Sequence, residues 1–200
     1  MSRFQLSLVV VLAAGLITLA CSQTQAPPQN QTAAQSQEPA EVPTPEEQKM
    51  QSAMSAGPPG IAADATIMDW SATPDGAMTE LRKGTNGWTC LPDMASTPGR
   101  DPMCMDQVSM QWAAAWMTKK PPQLSGVGIA YMLQGGSTAD NDDPFATEPK
   151  AGNSWLNEPP HLMVFGAKID PAVYSNEPNT TRPWVMWKGT PYEHLMVPVK

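Results

Sequence analysis

The sequence predicts an α+β domain, an antiparallel sheet with one main helix, a short N-terminal helix and long ordered loops. Three observations carry this. With 22 Pro and 14 Gly, the 200-residue chain is punctuated too often for a coiled coil or an all-helical bundle. Strand-like runs lie on both sides of a single long helical run, the order expected of α+β rather than of alternating βαβ units. All seven Trp, beginning with Trp70, fall in the later part of the chain, so the core is built from residue 61 onward.

The first element is the short helix. Thr44-Pro45-Glu46-Glu47 places a Thr at the N-cap, a Pro at the first helical position and a Glu three residues after the cap, which is a capping box. Met50, Ala53 and Met54 share one face, and Gly57-Pro58-Pro59-Gly60 stops the helix. Residues 61–70 and 78–90 read as strands, the second containing a turn signal at Asn86-Gly87. Residues 101–119 form the main helix, with Asp101 as cap, Pro102 at its first position and Met105, Val108, Trp112 and Trp116 at helical spacing. Cys104 then falls on the first turn. Residues 126–133 make a buried strand, 134–160 a loop, and 162–165, 184–187 and 194–199 the closing strands.

The amino end has a different character. Arg3 precedes an apolar stretch over residues 6–20, too short to span a bilayer comfortably, with the composition of a secretory signal. Ile17-Thr18-Leu19-Ala20-Cys21 resembles the bacterial lipobox, with Thr18 standing where Leu is usual; the resemblance implies cleavage before Cys21 and its acylation. An ordinary cleaved signal with a stray Cys nearby is the alternative. Ser22, rather than Asp, resembles the signal for release to the outer membrane. Residues 21–44 are Gln-, Ala- and Pro-rich, with Val42 the only aliphatic side chain larger than Ala, and predict a disordered tether. The division is therefore signal 1–20, tether 21–44 and globular domain 45–200, on the periplasmic side of the envelope and moored to a membrane through its lipid.

With Cys21 acylated, Cys90 and Cys104 remain. In an oxidising compartment they pair, and closing the Pro-rich segment between them supplies roughly 3 kcal/mol. Two reduced thiols holding a soft metal are the rival reading.

Composition removes some functions. Twelve basic against nineteen acidic residues give a net charge of −7, with no footprint for nucleic acid phosphates or anionic headgroups. The sequence contains no Gly-x-Ser-x-Gly, His-Glu-x-x-His, Walker or Rossmann motif. Its only two His sit in an echo, Pro160-His161-Leu162-Met163-Val164 and Glu193-His194-Leu195-Met196-Val197. On a strand, residues two apart share a face. His161 with Met163, and His194 with Met196, therefore form a candidate N2S2 set for copper, and the pattern is similar to the His-x-Met element of periplasmic copper chaperones. Against this, Met fills cores, and a chain with three Phe has to pack with something else. His161 or His194 as acid–base of a hydrolase is a third reading, without a convincing nucleophile. Asp140-Asn141-Asp142-Asp143 reads as a solvated turn rather than a Ca²⁺ loop, because the EF-hand spacing is absent. The pairs Trp112/Trp116 and Trp184/Trp187 read as core before they read as a sugar-stacking cleft.

Gly84-Thr85-Asn86-Gly87-Trp88-Thr89-Cys90-Leu91-Pro92-Asp93, Asp101-Pro102-Met103-Cys104, Tyr131-Met132-Leu133-Gln134-Gly135-Gly136 and Gly189-Thr190-Pro191-Tyr192 resemble strings of an uncharacterised family of secreted bacterial proteins. The resemblance implies one coherent domain holding both paired Cys, and brings no activity with it. The sequence therefore leads to a non-enzymatic binding or accessory module of the cell envelope without a cofactor, with copper binding and hydrolysis as alternatives.

Overall fold

Folding of the described chain begins at a cap. In the computed structural model, which describes residues 42–73 and 77–199, Thr44 Oγ1 accepts from the Glu47 amide while the Glu47 carboxylate accepts from the Thr44 amide, completing the capping box. Helix α1 (Pro45–Ser55) follows, burying Ala53 and leaving Met54 at the surface. The signal segment, Cys21 and nearly all of the tether lie outside the described residues. Among the described residues, no helix is long and apolar enough to cross a membrane.

The next segment departs from expectation. Pro59 starts a single helical turn, α2 (Pro59–Ala62), so Ile61 is helical and β1 (Thr66–Asp69) is shorter than the strand predicted over 61–70. The predicted second strand is two, β2 (Thr79–Arg82) and β3 (Thr89–Leu91). They do not form a hairpin together, because β1 lies between them, antiparallel to β2 and parallel to β3. The Asn86-Gly87 signal is a turn leading into β3: Gly87 takes φ 78° and Asn86 Oδ1 accepts from the Trp88 amide.

The main helix also starts later than expected. Residues 103–105 alternate between faces as β4 (Met103–Met105), and α3 (Gln107–Met117) is capped by Asp106 rather than Asp101. Asp106 does two jobs. Its Oδ1 accepts from the Ser109 amide at 2.7 Å, and its Oδ2 accepts from the Ile129 amide at 2.8 Å, fastening α3 to the neighbouring strand. That strand is β5 (Gly128–Met132), and it approaches the helix start so closely that a Cβ on Gly128 would lie 2.7 Å from the Ser109 nitrogen. Only glycine fits there.

Within the predicted loop 134–160 a small two-stranded sheet forms, β6 (Gly136–Thr138) antiparallel to β7 (Leu156–Glu158). Strands β8 (His161–Phe165), β9 (Trp184–Met186) and β10 (His194–Pro198) complete the main sheet, ordered β2-β1-β3-β4-β5-β8-β10-β9. The sheet is therefore mixed: α+β stands, with one parallel pair at β1/β3 in an otherwise antiparallel arrangement.

The two faces bury different helices. Met105, Ala130, Met163, Phe165, Met196 and Trp184 pack with Trp112 and Ala113 of α3. On the opposite face, Ile67, Cys90 and Cys104 pack with Ala53 and Ala56 from the α1 side. Cys90 and Cys104 are directly opposed on β3 and β4 and are disulfide-bonded. The bond thus joins two strands; Cys104 is not on a helical turn.

Candidate functional site

The strand register lays the predicted metal donors along one face. Met163 stands directly opposite Met196, while His161 faces Pro198 and Met132, and His194 faces Met186. With His161 opposite Pro198, the two His lie four residues apart along the strands, about 13 Å at strand rise. The thioethers occupy the middle of this face and the imidazoles its two ends. Both rings are buried, at 0% and 1% exposure.

Each ring is held in the same way. His161 Nδ1 lies 2.7 Å from the Pro159 carbonyl oxygen, and His194 Nδ1 lies 2.9 Å from that of Tyr192. A carbonyl can only accept, so both Nδ1 atoms donate and both Nε2 atoms carry a lone pair. Burial pushes each imidazole down to about 4, outweighing the opposing carbonyl contact, so both are neutral near pH 7. Both Nε2 atoms lack a hydrogen-bond partner. That of His194 belongs to a ring enclosed by Trp112, Trp187 and Phe165 at centroid distances of 5.2, 5.3 and 5.0 Å. That of His161 lies 3.8 Å from Glu158 Oε2. Because His161 is neutral, this contact is not an ion pair.

Glu158 belongs to a second group of residues that sequence reading did not assemble. Its side chain is 5% exposed, and Oε1 accepts from the Thr138 hydroxyl at 2.5 Å. Burial, with the charge of Asp101 adding to it and the Thr138 hydroxyl opposing, raises its carboxyl to about 7. Asp101, read from sequence as a helix cap, is 3% exposed. Its Oδ1 accepts from the Ser137 amide at 2.7 Å, its Oδ2 accepts from the Thr97 hydroxyl, and its own amide donates to Asp93. Burial raises the Asp101 carboxyl too, against the Thr97 and Ser137 donors. The two carboxylates converge over Gly136, where an added Cβ would meet Glu158 Oε2 at 2.9 Å and Asp101 Oδ1 at 3.1 Å. Gly136 is the close approach that lets them meet.

One signal could have revealed this group: Glu158 and His161 are three residues apart around Pro159-Pro160, a sequence that brings the carboxylate back beside the ring. Beside Glu158 a surface cleft of about 150 Å³ is lined by Asn157, Asn179, Thr180, Trp184 and Met186.

The remaining predicted features have plain roles. Asp140 accepts from the amides of Asp142 and Asp143 and pairs with Lys150 at 2.7 Å, so this carboxylate closes its own turn. Trp112, Trp184 and Trp187 are core residues, at 5%, 2% and 8% exposure. Among the described residues, no three His, Cys, Asp or Glu side chains are gathered about a point where a metal ion could sit. No family model, curated protein or solved structure matches this chain.

Proposed function

We propose that this chain is a cell-envelope lipoprotein, acylated at Cys21, whose tether carries a non-enzymatic binding module. The observation that carries the reading is the Cys90–Cys104 bond. It lies buried beneath α1, it supports maturation in an oxidising compartment, and it leaves Cys21 as the one cysteine outside the pair. The capping box at Thr44 starts the folded body, so the low-complexity segment before it is long enough to serve as a spacer from a membrane. Binding is favoured over hydrolysis because neither imidazole reaches the surface. The cleft among the described residues is lined instead by Glu158, whose side chain is 5% exposed, and by Asn157, Asn179 and Thr180.

Fractionation tests the anchor. The wild-type chain is expected in the detergent-extracted membrane fraction, and Cys21→Ser in the soluble or unprocessed fraction; equal distribution of the two contradicts it. A Cu(I) competition against a chelator separates the soft-metal reading. Copper retained by the wild type and lost in His161→Ala plus His194→Ala would favour that reading over the cleft.

A further inference from the structure

We infer that the sheet face opposite α3, over β5, β8 and β10, is an interface with a second copy of this chain. The inference deepens the binding-module reading and rests on it for the removal of residues 1–20.

Strands β5, β8 and β10 alternate between two faces, and one set of positions is buried under α3. The other set is Ile129 and Tyr131, Leu162 and Val164, Leu195 and Val197. A strand with one solvated face alternates apolar with polar residues, and runs apolar throughout when both faces are covered. Here α1 lies over β1, β3 and β4, and Tyr131, at the border, packs against its core. The other five belong to neither core; Ile129 is 37% exposed and the rest are half-buried. The register sets the six in two rows, Ile129-Val164-Leu195 and Tyr131-Leu162-Val197, a contiguous patch without a charge. A patch of this kind marks a contact surface.

The tether does not cover it, because residues 21–41 contain no Val, Leu, Ile, Met or aromatic residue. A second copy suits it for two reasons. The His-Leu-Met-Val echo places its Leu and Val on a checkerboard, with Leu162 opposite Val197 and Val164 opposite Leu195. Turning a copy over about a two-fold axis in the plane of this square, along or across the strands, sets every Leu over a Val. Large then meets small at each position, the interdigitation that face-to-face sheets need. In addition, copies with a net charge of −7 repel one another, and a patch free of charge is where they can touch. Three strands at about 4.8 Å spacing and five residues at about 3.4 Å make roughly 250 Å² per copy. A stable interface takes about 800 Å² per partner, so the pair is weak and reversible. A lipid anchor concentrates copies on one membrane and offsets that weakness.

Sedimentation equilibrium of the wild-type chain, extracted into density-matched detergent, tests the pairing over a concentration series. The mass is expected to rise from one chain to two with concentration. Leu195→Lys should weaken association roughly tenfold or more, whereas Met117→Lys, on α3 across the sheet, should leave it unchanged. A one-chain mass throughout, association indifferent to Leu195→Lys, or equal weakening by both substitutions overturns the proposal. If circular dichroism shows that Leu195→Lys does not fold, a photoreactive phenylalanine analogue at position 129 in whole membranes decides alone. A crosslink between two copies is then expected, and adducts only to lipid or to other polypeptides overturn the proposal. Fractionation reports the anchor separately. A chain that is not anchored still gives its answer by sedimentation, so the two failures are distinguishable.

Discussion

Glu158, His161 and His194 set opposing pH dependences on one fold. The Glu158 carboxyl is raised from 4.5 to about 7, so its contribution to stability is complete below pH 4.5 and is lost as pH rises to about 7. Each His is lowered from 6.5 to about 4, so its contribution is complete above 6.5 and is lost as pH falls to about 4. The terms oppose each other between pH 4.5 and 6.5, and the His outnumber the Glu. In urea denaturation, Glu158→Gln should remove the falling limb, gaining on the order of 3 kcal/mol relative to wild type between pH 5 and pH 8. The same relative stability at both pH values would contradict the burial assigned to Glu158. Little of this was legible in the sequence. The alternation of His161 and Met163 gave the right face, but whether a strand face is solvent-lined or covered depends on which helix packs there. Here Trp112 of α3 covers it. Asp101 was read as a cap because Asp-Pro is a common helix start; the carboxylate it meets is 57 positions away, beyond the reach of local pattern.

At the scale of elements, the α3 boundary is the instructive error. Met105, Val108, Trp112 and Trp116 fit helical spacing, yet Met105 also fits the alternation Met103-Cys104-Met105, and three residues of strand cannot outvote a long periodic run on paper. What decides is tertiary: Cys104 must lie opposite Cys90, and the chain is released into helix only where Asp106 can cap it. Asp106→Ala should therefore cost more than an ordinary cap, about 2 kcal/mol or above, since it also strips the acceptor from the Ile129 amide. Thermal unfolding measures it; a loss below about 0.5 kcal/mol would show that the helix start is not fastened to β5. The α1 capping box, by contrast, is a local device, and its four residues predicted it correctly. Strands β6 and β7 were missed because three-residue strands rich in Gly, Ser and Asn look like loop. Gly136→Ala tests their placement. The added methyl meets Glu158 Oε2, Asp101 Oδ1 and Met132 Cε within 3.1 Å, and a loss of roughly 1–3 kcal/mol is expected by denaturant unfolding.

Over the whole molecule, one mixed sheet separates two cores. The Trp- and Met-rich core under α3 is assembled from β4, β5, β8, β9 and β10, whereas the α1 core is built on Ala, Ile67 and the disulfide. The fold class was legible because the strand–helix–strand order survives errors of several residues at each boundary. The parallel β1/β3 pair was not, because nothing in either strand's composition says which neighbour it will choose. The second core has few large side chains, so the Cys90–Cys104 bond carries much of its stability. Reduced protein, or Cys90→Ala plus Cys104→Ala, should lose about 2–4 kcal/mol in chemical denaturation, and an unchanged midpoint would contradict this division. The same bond bears on the proposed location, since a disulfide in the folded body is what an exported chain would carry.

Intact-mass measurement of protein extracted from membranes tests that link most directly. The account predicts a chain beginning at Cys21, heavier by its acyl groups and two hydrogens lighter for the single bridge. A chain with an unmodified amino terminus, or one whose Cys90 and Cys104 alkylate without prior reduction, would contradict it.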